Sequence, residues 1–200
     1  TKEELAKRIS EQIEAPQQSV LNLLNDHDYT QKMGFTSDNI LAMFLPNTYE
    51  FYWNSSADKF IQRMKKEYDK FWTADRILKA KKIKLTPVQV SVIASIVQLE
   101  SNREDEKPVI AGVYINRYKK DWKLEADPTL VYALGDFTIK RVLNVYKEIE
   151  SPYNTYKYKG LPPGPICLPT ISSLSAVLNY TEHNYMYFCA KEDFSGYHSF

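Results

Sequence analysis

Between Thr86 and Glu100 the sequence TPVQVSVIASIVQLE dictates a helix with a buried face, and it places an acid on that face. Thr86, Pro87 and Gln89 read as a helix start: a hydroxyl N-cap, proline at the first helical position, and a glutamine spaced to complete a capping box. Ile93, Ile96 and Val97 then recur at helical spacing, and Glu100 falls on the same stripe. A carboxyl held against aliphatic side chains loses hydration of its charged form. Its pKa rises, and it stays protonated and able to donate. The competing assignment is a helix-end Glu whose stem packs while its head reaches water. Gln98 and Ser101 are predicted to point away into solvent.

Two hundred residues, 44% of them hydrophobic, suffice for one well-buried domain or one domain with a small appendage. Intermixed charge, 26 basic against 25 acidic residues for a net +1, argues against a nucleic-acid partner, which calls for clustered lysine and arginine. The 15 tyrosines, nine phenylalanines and three tryptophans offer platforms for the apolar faces of sugars, although core packing uses the same residues. Cys167 and Cys189 form no CxxC or His/Cys cluster, so neither a zinc site nor a disulfide framework is indicated and their pairing is left open; nucleotide and flavin signatures are absent too, and no cofactor is expected. No apolar run approaches the ~18 residues of a membrane span, and TKEELAKRISEQIE lacks a signal-peptide profile. The abrupt ends lead us to expect a soluble fragment of a longer protein whose anchor or targeting segment lies elsewhere.

In chain order, Thr1 to Glu14 is an amphipathic helix with Leu5, Ile9 and Ile13 on one face, and Ser19 to Leu24 is a shorter helical piece. Thr36 to Asn39 supplies caps for Ile40 to Phe44, and LPNTYEFYW (Leu45 to Trp53) reads as a proline turn followed by an aromatic strand. Ser55 or Ser56 caps a helix through about Phe71, and Ala74 to Lys82 is a further basic helix. Asn102 is the expected cap of a second central helix through Arg117, whose guanidinium satisfies the helix end in the simplest account. Asp127-Pro128 repeats the cap-then-proline signature and starts a helix stopped at Gly135; a second catalytic acid is the alternative for Asp127. Thr138 to Glu150 is helical in pattern.

SPYNTYKYKGLPPGPICLP, Ser151 to Pro169, has neither period and is predicted to be a long ordered loop, the kind that commonly carries function. Its Tyr153, Asn154, Thr155 and Tyr156 gather donors, acceptors and rings in one place; a rigid connector with packed tyrosines is the alternative. Ser172 or Ser173 caps a last helix. Tyr185 to Ala190 and the terminal GYHSF read as hairpin strands across a turn with Asp193 and Gly196, and His198 as a hydrogen-bonded wall residue in preference to a catalytic base. The pattern as a whole is α+β: a helical domain with a small antiparallel sheet and a cleft between the Glu100 helix end and the SPYNTY loop.

With these pieces placed, LPNTYEF (Leu45 to Phe51), ASIVQLES (Ala94 to Ser101), INR (Ile115 to Arg117), ADPT (Ala126 to Thr129), SPYNTY (Ser151 to Tyr156), GLPPGPI (Gly160 to Ile166) and GYHSF (Gly196 to Phe200) together resemble the MltG-type endolytic murein transglycosylases, the YceG-like family. Order and spacing match from about Gly34 onward. The resemblance implies a division into residues 1–33, the remnant of a LysM-like subdomain or a helical lead-in, and residues 34–200, a catalytic domain truncated at its C-terminus. It also implies a location on the periplasmic, extracytoplasmic face of the inner membrane, through an N-terminal anchor that this chain lacks.

In that family the acid is the second glutamate of a segment similar to SIVEKE, which matches Glu100; the first is Gln98 here. The implied reaction cleaves the β-1,4 bond between N-acetylmuramic acid and N-acetylglucosamine in nascent peptidoglycan, leaving 1,6-anhydro ends. Asn116, Tyr153, Asn154 and Thr155 are the expected sugar-binding residues, and Arg117 either holds the loop or meets a lactyl or peptide carboxylate. Peptidoglycan strands are the implied partner, with recruitment by a synthase left open. A non-catalytic glycan-binding module and a hydrolytic muramidase using Glu100 with Asp127 are the rival functions.

Overall fold

The computed structural model describes residues 1–193 and 195–200. Helix α6, Pro87–Glu100, is the axis of the molecule. Its capping box forms as the sequence requires, the Thr86 amide donating to Gln89 Oε1 at 2.9 Å and the Gln89 amide to Thr86 Oγ1 at 3.2 Å. Instead of one buried stripe, all residues from Val90 to Val97 are buried, because other elements pack on every side. Helices α5 (Ala74–Lys82), α7 (Lys107–Lys119), α8 (Asp127–Leu134) and α9 (Ile171–Leu178) all contact α6, and α9 also lies on α7.

The first 33 residues form α1 (Lys2–Ser10), α2 (Gln17–Asn25) and α3 (His27–Lys32). Ala6, Ile13, Val20 and Leu24 enter the same core as Ile93 and Ile96, with α2 resting on α4 (Ala57–Phe71). A two-stranded antiparallel sheet, β1 (Cys189–Ala190) with β2 (His198–Ser199), completes a mostly helical α+β fold. Among the described residues no helix is long and apolar enough to cross a membrane. Cys167 and Cys189 are free thiols, and burial pushes the Cys167 thiol up to about 12.

Several local expectations are corrected. Residues 45–53 are irregular and join no sheet: the Tyr49 hydroxyl donates to Leu45 O, the Thr48 amide to Asn47 Oδ1, and Phe51 packs on Phe60 of α4. The aromatic run therefore reports packing on a helix. Residues 138–150 are irregular apart from a 3-10 turn at Asn144–Glu148, none of whose residues is buried. A helical pattern that buries no face has little to hold it. Helix α7 begins at Lys107 with Glu106 as N-cap, not at Asn102, since Pro108 lacks an N–H and fits only the first turn. Thr170 caps α9, accepting from the Ser173 amide, in place of Ser172 or Ser173. Of Tyr185 to Ala190 only the last two residues pair as strand.

Candidate active site

Glu100 ends α6 and lies partly exposed in a cleft of about 460 Å³ that it shares with Leu99, Asp127, Pro128, Lys140 and Ile166. The fully buried Tyr114 of α7 donates its hydroxyl to Glu100 Oε1 at 2.6 Å. Desolvation is the largest influence on the Glu100 carboxyl and raises its pKa above the ordinary carboxylate value; the charge of Asp127 acts in the same sense. The Tyr114 bond, His198 and Arg117 oppose them without reversing the shift. The arrangement is an acid biased toward its protonated form, with one fixed donor to receive its charge when it ionises.

The neighbours of Glu100 are not solvated as expected. Gln98 Oε1 accepts from the Thr170 amide at 2.6 Å and from Ser173 Oγ at 3.1 Å, tying α6 to the cap of α9. Ser101 is buried, and its hydroxyl donates to Glu106 Oε2 at 3.3 Å. Glu106, itself buried, also accepts from the His198 amide at 2.7 Å and contacts His198 Nδ1 at 2.9 Å. His198 is thus hydrogen-bonded to Glu106, with its ring edge-to-face on Phe188.

Asp127 does not cap α8. The N-cap is Ala126, no side chain bonds there, and the Asp127 carboxylate instead accepts from the Tyr156 hydroxyl at 2.5 Å. The SPYNTY loop therefore reaches the cleft through Tyr156. Asn154 is fully buried: its amide donates to Lys147 O and Ile149 O, and its Oδ1 accepts from the Tyr156 and Lys157 amides, leaving no group for a ligand. Thr155 is equally internal, with Oγ1 accepting from the Ala126 amide at 3.0 Å and lying 2.8 Å from Thr129 Oγ1. Tyr153 packs on Tyr132 with tilted rings, centroids 4.7 Å apart, and lines a neighbouring cavity with Asp38.

Asn116 and Arg117 reach a different segment. Asn116 Nδ2 donates to His183 O at 2.8 Å and Tyr185 O at 3.1 Å, while Arg117 Nε donates to Met186 O at 2.7 Å and its other arm to Leu124 O. These side chains hold the backbone of residues 183–186, the segment that leads into β1. Tyr114 was not foreseen as a site residue, and Tyr156, grouped in the sequence with Tyr153 to Thr155, was not among the expected sugar-binding residues. The signal for Tyr114 was a tyrosine in a buried stripe, whose hydroxyl needs a partner.

A mainly helical domain with a tyrosine-bonded, desolvated carboxyl at a helix end and a second carboxylate lining the same cleft has the groups that acid–base chemistry requires. The YceG-like family model matches residues 1–200, and the chain belongs to that family. It is 42% identical over 113 residues to the endolytic murein transglycosylase of Bacillus subtilis (strain 168), covering 56% of this chain and 31% of that protein. To the protein of the same name from Streptococcus pneumoniae (strain D39) it is 30% identical over 140 residues, 68% of this chain and 24% of that protein. The matches thus span a third or less of these relatives' length. The crystal structure of the yceG-like protein lmo1499 from Listeria monocytogenes superposes with a TM-score of 0.82 at 31% identity, over 98% of this chain and 69% of that one.

Proposed function

We propose that this chain carries the catalytic centre of an endolytic murein transglycosylase, with Glu100 as the single acid and base. The observation that carries it is the Glu100–Tyr114 pair at the cleft, at the position that matches the family's acid. Protonated Glu100 donates to the leaving glycosidic oxygen between N-acetylmuramic acid and N-acetylglucosamine. Once ionised, it takes the proton from the muramyl C6 hydroxyl as that oxygen closes on C1, giving the 1,6-anhydro end without water. The nucleophile is part of the substrate and stands at high effective concentration, so one acid suffices. The Tyr114 hydroxyl stabilises the carboxylate between the two proton transfers.

The form of the surface supports an internal cut in a polymer. The Glu100 cleft shares Leu99 and Ile166 with an adjoining groove of about 480 Å³, which in turn shares Leu5 and Leu168 with one of about 550 Å³ below the LPNTYEF segment. In the whole protein the substrate is nascent peptidoglycan at the extracytoplasmic face of the membrane. Of the two assignments for residues 1–33, the helical lead-in has the better support over a LysM-like remnant, since α1 to α3 are helical and share the core. Residues 34–200 then form the catalytic part.

A hydrolytic muramidase is the second reading, favoured by Asp127 on the same cleft. Digestion of defined uncrosslinked glycan strands with wild type and Glu100→Gln, read by mass spectrometry, tests both. Anhydro ends from wild type and intact strands from the variant are expected. Reducing ends would establish hydrolysis, and strands bound but uncut by wild type would make the chain a binding module.

A further inference from the structure

We infer that Asp127 is a positioning residue of the Glu100 site: a fixed negative charge, built into the lining of the same cleft, that acts on the reaction through Glu100. The inference rests on Glu100 being the acid.

The backbone around Asp127 is held at some cost. Glu125, two residues earlier, adopts φ +50°, a left-handed conformation that a side chain with a Cβ disfavours. Hydrogen bonds fix it there from both sides. Arg117 holds Leu124 O, Thr155 O accepts from the Glu125 amide at 3.1 Å, and Thr155 Oγ1 accepts from the Ala126 amide. A strained turn pinned by a buried arginine and a buried threonine marks a position that the fold over-determines. What the turn presents to the cleft is Asp127, released from capping and aimed by the Tyr156 hydroxyl. Thr155, expected to touch sugar, and Arg117, expected to hold the loop or meet a substrate carboxylate, thus serve the turn that carries Asp127.

The charged and titratable groups that act on Glu100 come from three elements: Asp127 from α8, Tyr114 and Arg117 from α7, and His198 from β2. Asp127 is the one whose charge favours the protonated acid, while Arg117 and His198 favour the carboxylate. Lys140 lines the cleft as well, and Lys147 lies over the Tyr156 ring at 4.6 Å. Removing the Asp127 charge therefore makes Glu100 ionise more readily and leaves less of the acid form at neutral pH. Asp127 itself transfers no proton, so the product stays the same.

The test compares wild type, Asp127→Asn and Asp127→Glu by titrating the Glu100 side-chain carboxyl by NMR and by following turnover of defined glycan strands against pH. Asparagine still accepts from Tyr156 and no capping bond is lost, so the fold is retained. Asp127→Asn is expected to move the Glu100 titration and the alkaline limb of the rate profile toward acid. Turnover at neutral pH should fall on the order of tenfold, as for loss of one partly screened charge interaction, with the product unchanged. Asp127→Glu, which keeps the charge, is expected to restore most of the titration. An Asp127→Asn protein whose Glu100 titrates as in wild type overturns the inference, as does an Asp127→Glu protein that behaves like the Asn variant. Loss of reducing-end product in Asp127→Asn would make Asp127 a hydrolytic base and overturn it too. Product release by Glu100→Gln would instead remove the function proposed above.

Discussion

Tyr114 Oη lies 2.6 Å from Glu100 Oε1, joining consecutive helices through a hydroxyl that has no exposure of its own. Burial disfavours the phenolate, and the nearby Glu100 charge disfavours it further, so Tyr114 keeps its proton and remains a donor across the working pH range. The pair is therefore an acid with a permanent hydrogen-bond donor.

Tyr114→Phe deletes that donor while keeping the ring. The Glu100 carboxylate loses its stabilising bond, so its pKa climbs further and the alkaline limb of the rate profile moves to higher pH. The maximal rate falls, because the first proton transfer, from Glu100 to the leaving oxygen, now generates a less stabilised anion. Loss of the hydrogen bond is expected to cost about 1–2 kcal/mol of stability. Urea unfolding and a pH–rate series check the two effects, and an unmoved rate profile would detach Tyr114 from the chemistry.

Glu100→Gln is expected to make the protein more stable at neutral pH while abolishing turnover. The folded-state pKa of Glu100 lies above the ordinary value of 4.5, so the native state binds this proton more tightly than the unfolded chain does. The native state is then penalised as pH rises above 4.5, and the penalty is complete above the raised value. Glutamine carries no charge to penalise, and its carbonyl still accepts from Tyr114. Melting temperatures of the two proteins should converge in acid and separate toward neutrality, with the variant higher; a variant that is less stable at pH 7 would contradict the desolvation account.

Gly164 and Gly160 flank the prolines of the GLPPGPI segment and are expected to respond differently to alanine. A Cβ on Gly164 would stand 2.1 Å from Asp38 O, a backbone atom that cannot swing aside, so Gly164→Ala should destabilise by about 3 kcal/mol. At Gly160 the φ is +85° but the space is open, so Gly160→Ala should cost only the left-handed strain, about 1–2 kcal/mol. Denaturant midpoints of the pair measure the difference. Equal costs would mean that the loop yields where it meets Asp38.

The parts of this fold legible in the sequence are those whose signal is local. The Thr86 capping box, the Ser56 cap of α4, the Gly135 stop and the irregular loop at 151–169 each follow from residues within a few positions of one another. Helical periodicity and motif position singled out Glu100 independently, and the structure puts it at the end of α6 on a cleft. The misassigned polar side chains share a cause: each has its partner at a distance in sequence. Asn116 bonds residues 67 and 69 positions away, Gln98 a residue 72 away and Asp127 one 29 away. Nothing near Asp127 in sequence distinguishes a cap from a carboxylate aimed by a tyrosine on another loop.

Thr155→Val gathers these relationships into one measurement. Valine matches threonine in shape but removes Oγ1, so the Ala126 amide loses its acceptor in the interior and Thr129 loses its neighbour at 2.8 Å. A buried donor left unsatisfied costs about 1–3 kcal/mol, which should appear as a lower urea midpoint. The same loss frees the turn that carries Asp127, because the left-handed Glu125 is then held by Arg117 and the Thr155 backbone alone. Asp127 becomes less fixed, and turnover should fall in the direction expected for Asp127→Asn, with the Glu100 titration displaced toward acid. Thr155→Ser, which keeps the oxygen, should retain both stability and titration to within the loss of one methyl group. A Thr155→Val protein that is destabilised but titrates Glu100 as wild type does would mean that Asp127 holds its place without the threonine, leaving Tyr156 as the contact that aims it.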